Sequence, residues 1–161
     1  MFSKQELLKV VEQIDFLAQK DVLDIPFLTH NAAFNIVTQN PLKVSETRFC
    51  IIFSVTSQDL SMMRGFGEKT AQRLIRKISV ASTDVPFVRF LRAAGMNKLS
   101  ESACTCIAKT FDSYDKFKSC KLVDGLKTLE KNGLGDNSMK VILSEAFWDD
   151  AELLRRFVTI A

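Results

Sequence analysis

Two glycine pairs, Gly65-Phe66-Gly67 and Gly133-Leu134-Gly135, are the places where this chain could hold a phosphate. Each lies between two helical patterns, with a small or apolar residue soon after the second glycine. Glycine permits positive φ and lets another backbone come close. The apolar residue between the glycines is expected to plug into a core and hold the loop rigid. The following helix then presents its unpaired first N–H groups and the positive end of its dipole to solvent, which suits an anion. Lys69 and Thr70 fall in the first turn after one pair, and Asn137 and Lys140 follow the other. Backbone donors grip a phosphate without reading a base, so nucleic-acid binding through them is independent of sequence. Taken singly, such a turn reads better as a helix C-cap and turn.

The pattern recurs in weaker form. In Gly95-Met96-Asn97-Lys98-Leu99-Ser100-Glu101-Ser102-Ala103, Ser100 replaces a glycine. In Ile25-Pro26-Phe27-Leu28-Thr29-His30-Asn31-Ala32-Ala33, Phe27 and Thr29 occupy the glycine positions. The charge is also uneven. The net charge is +3, from 22 basic and 19 acidic residues. Residues 64–98 alone hold 8 basic side chains (Arg64, Lys69, Arg73, Arg76, Lys77, Arg89, Arg92, Lys98) against Glu68 and Asp84. Residues 1–63 and 132–161 are each net −2. A basic block can be a solvated helix face; beside the best glycine turn it reads as an electrostatic footprint for a polyanion.

The rest of the catalytic vocabulary is thin. His30, the one histidine, has no obvious Cys or carboxylate partner nearby in sequence and reads as a capping or surface residue. Cys50, Cys104, Cys106 and Cys120 lack paired Cys-x-x-Cys spacing and read as reduced, buried small residues rather than zinc ligands. Trp148 could stack a base, but reads better as an anchor for the last helix. No nucleophile–base pair, carboxylate pair or metal set is visible, so catalytic residues are expected to be none and metal sites none.

These residues must be positioned by helices. The length of 161 residues suits one domain or two very small ones, and 47% hydrophobic with 25% charged residues excludes a disordered tail. Ser3 with Glu6 forms a capping box, opening a helix with Leu7, Leu8, Val11, Ile14 and Leu17 on its apolar face. A second helix covers about 30–39 and is closed by Asn40-Pro41. The apolar run 49–55 has no partner run and is read as a buried helix. Residues 68–78 form a basic amphipathic helix with Ala71, Leu74, Ile75 and Ile78 inward. Asp84 caps and Pro86 opens the next helix, which Gly95 stops. Further helices are expected at 100–111, 121–131, 136–147 and 149–158. The fold class is all-α: tandem hairpins of short helices, about four copies with two degenerate, in a compact multi-helix domain. The longest uncharged stretch, 49–58, is half of what a bilayer needs. No secretory signal opens the chain, which points to a cytoplasmic setting.

The hairpins resemble helix-hairpin-helix motifs, and their arrangement resembles the helix-hairpin-helix domain of NAD-dependent DNA ligases. Phe87-Val88-Arg89-Phe90-Leu91-Arg92-Ala93-Ala94-Gly95-Met96 is similar to that family's Phe-x-x-x-Leu-x-Ala-Leu-Gly-Ile stretch between the second and third hairpins. Glu101, Ala108, Phe111 and Asp112-Ser113 continue the likeness, and 143–158 falls where the family places its last hairpin. The likeness covers 59–158 firmly. The chain accordingly divides into N-terminal helices with a degenerate first hairpin (1–58) and a DNA-binding region (59–161). The family's Lys-x-Asp-Gly adenylation motif is absent, since Asp124-Gly125 is preceded by Leu122-Val123. Its four-Cys zinc module is absent too.

The resemblance implies a sequence-independent clamp on the backbone of double-stranded DNA, intact or nicked, without catalysis by this chain. NAD is expected only with a separate adenylation domain, and a nucleotidyltransferase subunit or domain is the expected protein partner. The residues expected at DNA are Arg64, Gly65, Phe66, Gly67, Lys69, Thr70, Arg73, Arg76, Lys77, Lys98, Ser100, Gly133, Leu134, Gly135, Asn137 and Lys140. The alternative is a protein-interaction or dimerisation module of a repair or replication complex, with the degenerate first hairpin as its contact.

Overall fold

The first helix, α1 (Lys4–Ala18), starts where the capping box places it: Ser3 Oγ accepts the Glu6 N–H and Glu6 Oε1 accepts the Ser3 N–H. Its buried face is Val10, Val11, Ile14, Phe16 and Leu17. Leu8, expected inward, is instead exposed, and Val10 and Phe16 join Val11, Ile14 and Leu17 on the buried face. The computed structural model describes residues 1–120 and 123–161. They are helical apart from loops and one isolated bridge, Val85 to Ile160.

The chain folds as two compact units, Met1–Thr83 and Asp84–Ala161. The basic helix belongs to the first unit, because it packs on elements of that unit. In the first unit α1 packs on α2 (His30–Thr38). Next come α3 (Pro41–Thr47), a 3₁₀ turn (Arg48–Cys50), α4 (Ile51–Ser54), α5 (Ser57–Ser61) and α6 (Glu68–Ala81). Pro41 does more than end α2; it occupies the first turn of α3, where a missing N–H costs nothing. The apolar run is helical but broken into the 3₁₀ turn and α4, and Phe49, Cys50, Ile51 and Ile52 are fully buried. A short α5 absent from the sequence reading is set by a second capping box. There the Thr56 N–H donates to Asp59 Oδ2 at 2.9 Å and holds that carboxyl below its ordinary range. On α6, Ala71, Leu74 and Ile78 are buried and Ile75 half-buried, while Lys69, Arg73, Arg76 and Lys77 are exposed.

The second unit holds α7 (Phe87–Ala94), α8 (Glu101–Phe111), α9 (Tyr114–Ser119), α10 (Val123–Lys131), α11 (Asp136–Ile142) and α12 (Glu145–Arg155). Asp84 does not cap α7: its φ is +51°, its N–H donates to Thr159 Oγ1 at 2.8 Å, and Pro86 takes the cap position. The end of the chain returns to pair there, with the Val85 N–H on the Thr159 carbonyl at 2.8 Å. The break expected between 147 and 149 falls instead at 143–144, because Ser144 Oγ accepts the Phe147 N–H at 3.3 Å and starts α12, which runs on through Trp148. The helix expected at 121–131 is seen from Val123; residues 121 and 122 lie outside the described ones. Helix α9, capped by Ser113, escaped sequence reading.

The core of this unit is aromatic. Phe90 and Tyr114 meet edge-on with centroids 4.9 Å apart, and Phe117 lies 5.1 Å from Trp148. Trp148 belongs to α12, and its Nε1–H donates to the Ile142 carbonyl at 2.7 Å, closing the last turn of α11. Burial first, then the neighbouring Glu152 carboxylate that accepts its O–H at 3.1 Å, push the Tyr114 phenol far above its ordinary range.

Candidate nucleic-acid interface

Four interhelical loops share one backbone design, two in each unit. The residue before each N-cap is apolar and buried: Leu28 at 5%, Phe66 at 9%, Leu99 at 1% and Leu134 at 5% exposure. The N-caps are extended with nearly identical angles: Thr29 (φ −76°, ψ 168°), Gly67 (−83°, 166°), Ser100 (−69°, 162°) and Gly135 (−75°, 164°). Two residues before the cap the chain turns through positive φ at Phe27 (+71°), Gly65 (+94°) and Gly133 (+100°). The third loop makes the same reversal earlier, at Met96 and Asn97 (+47° and +68°). Four residues after the cap, Ala33, Ala71 and Cys104 are buried and Met139 is half-buried. Phe66 and Leu134 are therefore plugs that fix their loops from below.

The caps differ in chemistry. Thr29 Oγ1 accepts the Ala32 N–H and Ser100 Oγ accepts the Ala103 N–H, both at 3.1 Å, so these helices satisfy part of their own first turn. Gly67 and Gly135 supply no side-chain cap. Nothing in the fold requires glycine at either place: φ is ordinary, and a Cβ there would meet nothing within 4 Å. Gly65 is different, because φ is +94° and a Cβ would come 2.8 Å from Asn35 Nδ2. One glycine of the pair thus serves the turn, and the other leaves amides bare.

The bare amides of α6 border an open, polar depression of about 480 Å³ between α5 and α6. Ser57, Gln58, Ser61 and Gln72 contribute polar atoms to it beside Phe66, Gly67 and Glu68. Arg64, Lys69, Thr70, Arg76 and Lys77 are exposed on the same hairpin and the helix that follows. Arg73 is exposed too, with its guanidinium 5.2 Å from the ring centroid of Phe27. Glu68 is the one carboxylate in the first turn of α6; it favours the helix dipole and opposes an incoming phosphate.

In the second unit Lys98, Ser100, Gly133, Gly135, Asn137 and Lys140 are all exposed. Helix α11 has 7 residues against 14 for α6, so α6 carries the larger dipole. Arg92, counted in the basic block, is half-buried and donates to the Leu99 carbonyl at 2.9 Å, which ties it to the third loop.

His30, expected without a carboxylate partner, has one: its Nδ1 lies 2.6 Å from Asp15 Oδ2, on a helix 15 residues away in sequence. Cys50 and Cys104 are buried, as expected, whereas Cys106 and Cys120 are half-buried. Burial raises the Cys104 thiol to about 11. Among the described residues no group of three His, Cys, Asp or Glu is placed to hold a metal, and no helix is long and apolar enough to cross a membrane.

Sequence comparison gives this geometry a context. The chain is 25% identical over 144 residues to the DNA ligase of Chlamydia caviae, covering 89% of this chain and 20% of that protein. It is 26% identical over 121 residues to the DNA ligase of Chlamydia felis (72% and 18%). It is 31% identical over 91 residues to that of Brachyspira hyodysenteriae (56% and 13%). The chain is distantly related to DNA ligases. It spans about a fifth of the length of the two chlamydial relatives. No family model matches it.

Sequence reading missed Asn35, Gln39 and Asn40 on α2 and its C-terminal edge. Gln39 Nε2 donates to the Arg64 carbonyl (3.2 Å) while Gln39 Oε1 accepts the Arg64 N–H (3.1 Å). Asn40 Nδ2 donates to the Ile36 carbonyl (2.8 Å) and reaches Met63 Sδ (3.6 Å). No local signal marks residues that act on a loop 25 positions away.

Proposed function

We propose that this chain is a helix-hairpin-helix clamp that binds the backbone of duplex DNA without reading sequence. In this reading it is a fragment, subunit or relative of an NAD-dependent DNA ligase. The observation that carries the reading is the cap of α6. Gly67 sits where a Cβ would meet nothing within 4 Å and two sister loops carry Thr29 and Ser100, yet it leaves the first-turn amides bare beside exposed Lys69, with Arg76 and Lys77 exposed further along the same helix. A bare N-terminus with a lysine in its first turn suits a phosphate oxygen, and the relatives named DNA ligase favour duplex DNA as the phosphate source. Arg64, Gly65, Thr70 and Arg73 complete the first contact; Gly133, Gly135, Asn137 and Lys140 form the contact of the second unit. Adenylation and the NAD it consumes belong to a separate nucleotidyltransferase domain or subunit.

The test is a salt series on two duplexes of unrelated sequence. Log K should fall with log salt by about 0.9 per phosphate contacted, equally for both. Gly67→Asp, which places a carboxylate where the phosphate sits, should weaken both to the same degree. Binding that depends on base sequence, or no loss in the variant, would overturn the reading. Exposed Phe27 (49%) and Phe34 (40%) favour the second reading, a protein contact at the first hairpin. That reading gains if a nucleotidyltransferase subunit is bound in the absence of DNA and Phe34→Ser abolishes the complex.

A further inference from the structure

The two Ser/Thr-capped hairpins have a shared relation to the two glycine hairpins. Counting from the cap Thr29, Asn35 is six and Gln39 ten residues on; counting from the cap Ser100, Cys106 and Thr110 hold the same two places. Positions four apart lie on one face of a helix. In the first unit that face meets Arg64, the residue before Gly65. Gln39 bonds both the N–H and the carbonyl of Arg64, and the Asn35 side chain lies against Gly65. In the second unit the face meets Asn132, the residue before Gly133. Asn132 Nδ2 donates to Thr110 Oγ1 at 3.1 Å, and the Cys106 thiol donates to the Asn132 carbonyl at 3.7 Å. The side chains and the atoms they bond differ, yet the offsets and the target residue are the same.

We propose that each Ser/Thr-capped hairpin is the positioning frame for the glycine hairpin of its own unit, with Gln39 and Asn35 as the latch in the first and Thr110 and Cys106 in the second. The chain is thus two copies of one device: a self-capped hairpin whose second helix pins the residue before a positive-φ glycine, and a bare hairpin that it holds. The degenerate sequence of the first and third loops follows. Their amides need not be free, and a hydroxyl cap there stabilises the helix that carries the latch. Fixing the loop in advance lowers the ordering cost of binding. The consequence for DNA rests on the function proposed above; the latch itself does not.

The experiment uses the full chain and a 20-base-pair duplex, with amide hydrogen exchange read alongside affinity. Gln39→Ala should speed exchange at the Arg64 amide, leave the amides of α1 unchanged, and weaken duplex binding about three- to tenfold. In a Gly67→Asp background the same change should alter affinity less than about twofold, because the hairpin it positions has already lost its contact. Thr110→Val, which keeps shape and removes the acceptor, should keep its full effect in that background, since it serves the other hairpin. Unchanged Arg64 exchange in Gln39→Ala overturns the latch. Faster exchange with undiminished affinity, or losses that simply add in the Gly67→Asp background, overturns the positioning role. Faster exchange in a chain that binds no duplex at all supports the latch and overturns the DNA reading alone.

Discussion

Replacing Gly67 by serine should make the protein more stable and worse at binding. The cap angles at Gly67 match those of Ser100 to within 14° in φ and 4° in ψ, from −83° and 166° against −69° and 162°. A Cβ at Gly67 meets nothing within 4 Å, so the side chain enters without strain. The new Oγ would accept the Thr70 N–H, as Ser100 Oγ accepts the Ala103 N–H at 3.1 Å. Losing a glycine from the unfolded chain stabilises by about 0.4–1 kcal/mol, and serine improves on glycine as a cap by a few tenths. The sum is roughly 0.5–1.5 kcal/mol, a rise of several degrees in melting temperature for a domain of this size. The same hydroxyl takes a donor from the phosphate. A hydrogen bond to a charged group is worth about 1.5–3 kcal/mol, so duplex affinity should fall roughly tenfold or more. Thermal unfolding and fluorescence anisotropy on a labelled duplex read the two signs separately. A more stable variant with unchanged affinity would show that α6 is not the contact. A less stable one would show that the fold itself needs Gly67.

Three further outcomes follow from neighbouring groups. Gly65→Ala, at φ +94° and with Asn35 Nδ2 2.8 Å from the new Cβ, should destabilise by about 1–2 kcal/mol in denaturant titration, opposite in sign to the change at Gly67. Glu68→Gln should tighten duplex binding about threefold at low salt, a gain that shrinks at high salt, while lowering stability by about 0.3–1 kcal/mol through the lost dipole interaction. Burial raises the Cys104 thiol from 9.0 to about 11, so the fold favours its protonated form. That contribution, of order 2–3 kcal/mol, is complete below pH 9 and is lost as pH rises through about 11. Denaturant unfolding across that range should show a shallower pH dependence in Cys104→Ala than in the parent.

The local rules were legible because their causes are local. The capping box at Ser3 and Glu6, the plugs Phe66 and Leu134, and the outward face Lys69, Arg73, Arg76 and Lys77 depend on neighbours within one helical turn or so. The weak first hairpin was also legible, since Phe27 turns through φ +71° and Thr29 caps where glycines stand elsewhere. Other features depend on distant contacts. Asp84 reads as a cap until Thr159 takes its N–H from the far end of the chain, and His30 reads as unpartnered until α1 brings Asp15 to it. Ser144 sets the break before α12 because a cap competes with helix continuation, a balance that periodicity does not weigh. The latch residues Gln39 and Thr110 carry no motif, and their equivalence shows only when both are counted from the caps.

The most direct measurement is a backbone amide NMR titration of the full chain with two duplexes of unrelated sequence. If the bare cap of α6 holds phosphate, the amides of Glu68, Lys69 and Thr70 shift in step with saturation, identically for both duplexes, while the self-capped amides of Ala32 and Ala103 stay in place. Shifts centred on the self-capped loops, or different residues responding to each duplex, would contradict it.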